Sequence, residues 1–196
     1  MTHKTRGRDT RFIFFPWFFG ALFLAGIVHI VSIFAMPWLA PKDAFARMAA
    51  AAPAHQLILL PDPTPQSGAP YDDPALVQGV CRYDLSQGRL RLRAMLPPDE
   101  LLLMSFHGRQ GQVYYSMTDR SATRGVLDVL IVTRAQLDLV EANDKEDELP
   151  QDLRIIAPTL EGFILLRSLS ERPSLREEAR QRISSMSCGL DGEGKP

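Results

Sequence analysis

Phe12–Leu39 reads FIFFPWFFGALFLAGIVHIVSIFAMPWL, and this stretch decides the architecture. It contains no Asp, Glu, Lys or Arg. A membrane span needs roughly 20 apolar residues at about 1.5 Å each; this run exceeds that and can tilt. A core helix of a soluble protein keeps a polar face, which is missing here. Pro16 falls in the first turn, where a lost N–H costs little. Trp17 and Trp38 sit near opposite ends, as interfacial aromatics do. Pro37 and Pro41 close the segment. The stretch therefore predicts one transmembrane helix over 12–39, after a cytoplasmic N-terminus over 1–11.

Orientation follows from the flanks. Lys4, Arg6, Arg8 and Arg11 precede the run, whereas Lys42 and Arg47 follow it with Asp43 beside them. Positive residues stay on the cytoplasmic side, so the chain from about residue 42 onward is expected in the periplasm. A cleaved signal peptide is the rival reading. Its apolar region spans about 7–15 residues before a small-residue cleavage site, and this run is longer. Ala44-Phe45-Ala46 has the small-x-small form but follows Lys42 and Asp43. Within the span His29 is the one strongly polar side chain. It fits a polar contact to a partner helix or a locally bonded neutral imidazole; a lone His with no acidic partner makes no proton relay. Gly20 and Gly26 lack the spacing of the close-packing dimer motif.

The rest of the chain reads as an ordinary soluble domain of about 150 residues, enough to bury its own core. The net charge of −1 argues against a nucleic-acid binder, which carries a basic excess. Residues 42–52 predict a short Ala-rich helix ended by Pro53, and His55–Leu60 a strand. Pro61–Pro74 is a loop rich in Pro, Asp, Gly and Ser. Ala75-Leu76-Val77 predicts a helical turn leading to Cys81. Arg89-Leu90-Arg91-Leu92-Arg93 alternates strictly, as a strand with one wet face does. Its arginines would be solvated or would meet anionic lipid head groups. Leu101–Phe106 and Gln112–Met117 flank a turn at 107–111 and form a hairpin signal. Val126–Val132, Leu153–Ile156 and Gly162–Leu169 predict further strands. Thr133–Gln136 and Ser174–Glu177 have capping-box form and open two helices. Leu175, Ala179, Ile183 and Met186 make the apolar stripe of the second helix, and Asn143–Glu148 is an acidic loop.

Strands grouped centrally with helices at the edges predict an α+β fold built on a mainly antiparallel sheet. It would occupy 42–189, with a disordered tail over 190–196. Cys81 and Cys188 are the two cysteines, and both fall on the exported side. An oxidising compartment and an even count predict a disulfide between them. Closing a loop of about 100 residues would contribute roughly 4 kcal/mol and pin the C-terminal helix to the sheet. No Cys-x-x-Cys pair, hydrolase elbow, His-Glu-x-x-His motif or phosphate-cradling glycine loop occurs, so no metal, cofactor or catalytic residue is expected. Tyr114, Tyr115, Ser116, Thr118, Asp119 and Arg120 form the densest polar and aromatic cluster, a pocket rim or a strand end with a capping Asp; His107 is a surface turn residue or a projecting base, and His107, Tyr114, Asp119 and Arg120 are the candidate ligand-binding residues.

The ordered segments Cys81–Leu85, Gly111–Arg120, Leu127–Gln136 and Glu161–Arg167, together with Gly26-Ile27-Val28-His29, resemble the bacterial domain-of-unknown-function family 1254. The likeness is to its short, membrane-anchored alphaproteobacterial form and covers roughly residues 20–188. It implies a β-rich domain and, in longer members, a second domain downstream. In the short form a separate small membrane protein often carries that domain. A partner is therefore expected, through the transmembrane helix near Val28-His29 or through the exported sheet. The resemblance transfers no catalytic residue.

These readings lead to a single-pass inner-membrane protein whose periplasmic domain binds or assembles with a partner membrane protein. The alternative is a cell-envelope enzyme acting on a lipid or sugar through His107, Asp119 or Arg120.

Overall fold

A computed structural model describes residues 11–39, 44–62, 73–96, 101–122, 124–144 and 152–192. The chain divides into two compact units, Met1–Pro41 and Lys42–Pro196. The first carries helix α1 (Arg11–Leu39), within which Phe14–Met36 is long and apolar enough to cross a membrane. Its aromatic and aliphatic side chains are exposed, including Trp17, Phe23, Phe34 and Trp38.

The second unit runs α2 (Ala44–Ala51), β1 (Leu57–Leu59), β2 (Leu76–Asp84), β3 (Leu90–Met95), β4 (Leu102–Gly108), β5 (Val113–Thr118), β6 (Val126–Val132), α3 (Arg134–Asn143), β7 (Leu153–Ile156), β8 (Glu161–Leu169), α4 (Arg176–Ser184) and β9 (Ser187–Leu190). The strands form two sheets, ordered β1-β2-β8-β4-β5 and β7-β6-β3-β9. All pairs are antiparallel except β6–β7, whose parallel register is reached through α3. The α+β class holds, with two sheets in place of the expected one.

Period-two alternation explains how the sheets meet. Leu90, Leu92 and Ala94 of β3 are buried while Arg91 and Arg93 turn outward. Leu127, Val129 and Ile131 of β6 share that inner face. Val77, Cys81 and Tyr83 of β2, Met104 and Phe106 of β4, and Ile164 and Leu166 of β8 come from the other sheet into the same core. The outer faces are covered separately. Phe45 and Ala52, in and just after α2, pack on Val80, Phe163 and Leu165. Leu137 and Val140 of α3 pack on Leu130 and Val132. A strand buried on both faces reads as a continuous apolar run, as β8 and β6 do.

Two glycines allow close approaches. At Gly79, a Cβ would lie 2.6 Å from Ile183 Cγ2, so its absence lets α4 settle against β2. Ala179 and Ile183 thereby join the main core. At Gly162, a Cβ would fall 2.2 Å from both the His107 carbonyl and the Tyr83 hydroxyl.

Several local expectations change. Ala75–Val77 is not a helical turn continuing to Cys81. Asp73 closes one turn by accepting from the Ala75 and Leu76 N–H groups, and the chain is already strand at Leu76. Pairing with β8 over nine residues outweighs the local helical preference. The Thr133–Gln136 capping box forms as expected. That at Ser174 does not: Pro173–Leu175 is a 3-10 turn, and α4 begins without a side-chain cap. The last helix stops at Ser184, and the chain adds the unexpected strand β9, which includes Leu190 at the start of the expected tail. His107 and Gly108 belong to β4 rather than to the turn. The loop over 63–72 and the acidic run over 145–148 lie outside the described residues.

Gly162→Ala is expected to destabilise the domain by about 1–3 kcal/mol, because the new methyl meets backbone and a buried phenol. A urea titration of the two proteins measures it; an unchanged midpoint would mean that β4 and β8 can part there freely.

Candidate functional site

The Cys81–Cys188 bridge is formed, with Cα atoms 6.6 Å apart and a sequence separation of 107. It joins β2 of one sheet to β9 of the other, rather than pinning the final helix.

The four candidate ligand residues are not gathered at one point. His107 projects from the outer face of β4, where its ring stacks on Phe163 at 4.5 Å. Its Nδ1 lies 2.9 Å from the Gly111 carbonyl and its Nε2 2.9 Å from the Ser105 hydroxyl. A carbonyl only accepts, so Nδ1 donates to Gly111, while Nε2 shares a hydrogen bond with the Ser105 hydroxyl. Both nitrogens are therefore engaged within the sheet. Tyr114 faces the other way and packs on the main core. A bulge at Phe106/His107 sets Tyr114 and Tyr115 both against the Phe106 ring. Asp119 and Arg120 lie in a 3-10 turn beyond the far end of β5, about 16 Å along the strand from Tyr114.

Tyr83 connects two of these positions. Its hydroxyl lies 3.1 Å from the His107 carbonyl and 3.2 Å from the Tyr114 hydroxyl. Burial pushes both phenols up, and in Tyr114 the neighbouring Tyr83 adds to it. Both stay protonated at neutral pH and serve as hydrogen-bonding struts, not as bases.

Beside this strut lies an open cleft of about 440 Å³ lined by Asp84, Ser86, Arg109, Thr159, Leu160 and Glu161. Its polar groups largely bond one another. The Asp84 carboxylate accepts from the Ser86 hydroxyl at 2.6 Å, the Ser86 N–H at 3.0 Å and Gln87 Nε2 at 3.0 Å. The Ser86 hydroxyl foremost holds that carboxyl below the usual range, against a smaller push from burial. Thr159 donates to the Glu161 carbonyl at 2.7 Å and accepts from the Arg109 N–H at 3.1 Å. Arg109 reaches Glu161 at 3.5 Å and covers the Phe45 ring at 4.2 Å. The Ser86 hydroxyl directs its proton to Asp84, and no His is among these lining residues. Among the described residues there is also no group of three or more His, Cys, Asp or Glu placed to hold a metal ion.

The arginines in and just before β3 are partly exposed, and each is paired with a carboxylate of the fold. Arg91 grips Asp128 of β6 through Nε at 2.8 Å and Nη2 at 3.0 Å. Its Nη1 reaches Asp191 at 3.0 Å. Arg93 adds a bond to Asp128 at 2.9 Å, and Arg89 one to Asp191 at 2.9 Å. The result is a continuous chain of alternating charge, Arg93–Asp128–Arg91–Asp191–Arg89. The one signal for it in the sequence was Asp128, an isolated carboxylate inside the apolar run Val126–Val132. Asp62 is a second carboxylate missed by sequence reasoning. It takes Arg176 Nη2 at 2.5 Å and also pairs with Arg180, tying α4 to the segment after β1.

No protein-family model matches the chain, and no curated protein does. Its fold recurs among solved structures. The VPA0106 protein from Vibrio parahaemolyticus is similar at a TM-score of 0.53 and 10% identity, over 76% of this chain and 34% of that one. A structure described as an uncharacterised protein from Burkholderia cenocepacia has a TM-score of 0.43 at 10% identity, over 80% of this chain and 46% of that one. The chain thus spans about a third of the length of the first and under half of the second. Fold and site together define the class: an α+β two-sheet domain preceded by one helix apolar enough to span a membrane.

Acid should loosen this domain through its paired carboxylates. Burial pushes the Asp128 carboxyl up, but the hydrogen bonds from Arg91 and Arg93 outweigh it and hold it below the ordinary range. Arg176 foremost does the same for Asp62. With folded values depressed, the unfolded chain binds protons first as pH falls. The stabilisation is complete above about pH 4 and is lost as pH drops through the folded values. Asp128→Asn should cost about 1–3 kcal/mol at neutral pH and flatten the acid limb of a stability–pH curve. Parallel acid limbs for variant and parent would remove Asp128 from the account.

Proposed function

We propose that this chain is a single-pass inner-membrane protein, with its N-terminus in the cytoplasm and a periplasmic α+β module that binds or assembles with a partner membrane protein. The observation that carries the reading is an uncharged helix, Phe14–Met36, ahead of a disulfide-linked two-sheet domain. A disulfide persists in an oxidising compartment, which agrees with the excess of Lys and Arg before the helix.

Binding is favoured over catalysis by how the polar side chains are used. His107, Tyr83, Asp84 and Thr159 satisfy neighbouring groups of the fold. An active site needs a nucleophile, a base and an orienting group converging on one open space, and of these four only Asp84 and Thr159 line the cleft. The partner reading is supported by the resemblance to family 1254, whose short form often works beside a separate small membrane protein.

Protease added to spheroplasts should digest the domain beyond residue 42, leaving a protected fragment that contains Phe14–Met36. Full protection that is lost only on lysis would sink the periplasmic placement. Purification from native membrane without crosslinker should bring down a second small membrane protein in fixed proportion; a lone chain would remove the partner from the proposal.

A further inference from the structure

β9 is an edge strand of four residues, and its single ladder partner is β3, from Leu90↔Leu190 to Arg93↔Ser187. None of its residues is fully buried. Several attachments hold it beyond that ladder: Met186, just before it, is buried in the main core, Cys188 packs against that core, and the Asp191 N–H donates to the Arg89 carbonyl at 2.8 Å. Asp191, just after it, bonds Arg89 at 2.9 Å and Arg91 at 3.0 Å. Cys188, inside it, is bridged to Cys81 of the opposite sheet. Partly exposed ion pairs hold little by themselves. β3 meanwhile keeps six paired residues with β6 whether or not β9 is present. β3 thus stays paired without β9, and the bridge is the covalent tie of β9 to the opposite sheet.

The two sulfurs differ in access. Cys81 is 0% exposed, in a strand flanked by β1 and β8. Cys188 is partly exposed, on a sheet edge close to the C-terminus.

We infer that β9 is a redox-latched strap, docked last and fixed by a thiol–disulfide oxidant that meets Cys188 first. The Cys188 thiolate attacks the oxidant's disulfide, forming a mixed disulfide and expelling one oxidant thiolate. The Cys81 thiolate then attacks Cys188 Sγ, forming the bridge and expelling the second thiolate. The protein gives up two electrons and two protons, and the oxidant leaves as a dithiol. A dithiol reductant reverses the sequence and frees the strap. Release withdraws Asp191 from the arginine chain, leaving Arg89 without that carboxylate while Arg91 keeps Asp128. It also bares the β3 edge that β9 covers. The direction of the reaction in the cell rests on the periplasmic placement proposed above; the mechanics do not.

Hydrogen exchange read by mass spectrometry on the full-length chain in detergent decides it. The chain is first oxidised with glutathione disulfide, then compared with a sample reduced by dithiothreitol and alkylated. The amides of Ser187–Leu190 and those of β3 facing them should exchange about tenfold faster or more after reduction, while β2, β4 and β8 stay protected. Cys188→Ala should match the reduced sample without reductant. Unchanged protection of β9 would overturn the latch. Loss of protection across both sheets would overturn it equally, because the bridge would then hold the whole domain. With Cys81→Ala, glutathione disulfide should modify Cys188, and with Cys188→Ala it should leave Cys81 unmodified; the opposite reactivity would overturn the order of attack. Alkylation in whole cells reports on the compartment alone. Free thiols there would count against the periplasmic placement and leave the exchange result to judge the latch.

Discussion

The burial of β8 on both faces is the constraint from which the rest of the domain follows. Ile164 and Leu166 enter the core between the sheets, while Phe163 and Leu165 lie under α2. A strand buried on both sides must sit inside a sheet, so β8 takes β2 along one edge and β4 along the other. That places Gly162 against the His107 carbonyl and the Tyr83 hydroxyl. It also sets Cys81 at a height where β9 can reach it. Removing a large side chain such as Phe106 from this core would cost about 3–5 kcal/mol, a large part of a domain's net stability.

Polar side chains do structural work at the ends and edges of this frame. Arg91 is the hub of the charged chain on the outer face of β3, with Asp128 from β6 and Asp191 from beyond β9. The network therefore crosses three strands that are far apart in sequence. Asp62 plays the same part for α4, and Asp144 pairs with Arg154 at 2.5 Å to tie α3 to β7. His107 is held by stacking and by both ring nitrogens. These contacts fix His107 at the β4–β5 hairpin.

The same economy bears on the functional proposal. A domain whose cleft is lined by mutually satisfied groups presents shape and edges rather than reactive atoms. Its sheet edges differ in how they end. β1 has three residues and β7 and β9 four each, whereas β5 has six and carries a bulge that turns it. Bulges and short edges are how sheets avoid unwanted pairing. The one edge whose covering depends on a covalent bond is that of β3, beneath β9.

The sequence by itself determined what depends on local period and composition. The uncharged run before Leu39 makes a helix that can span a membrane, because nothing in it needs water. The alternation at Arg89–Arg93 determined which face of β3 is buried, and Thr133–Gln136 determined where α3 starts. The even pair of cysteines pointed to the bridge. Only the tertiary structure decided that the strands divide into two sheets, because alternation marks a buried face without saying what covers it. It also decided that the turn at Asp73 yields to β2, that Ser187–Leu190 pairs with β3 as β9, and that Asp128 and Asp191 pair with Arg89, Arg91 and Arg93. Each of these depends on pairing between segments tens of residues apart, where register and packing outweigh local preference. For the candidate site, residue type alone singled out His107, and only the structure set it among Phe163, Ser105 and Gly111.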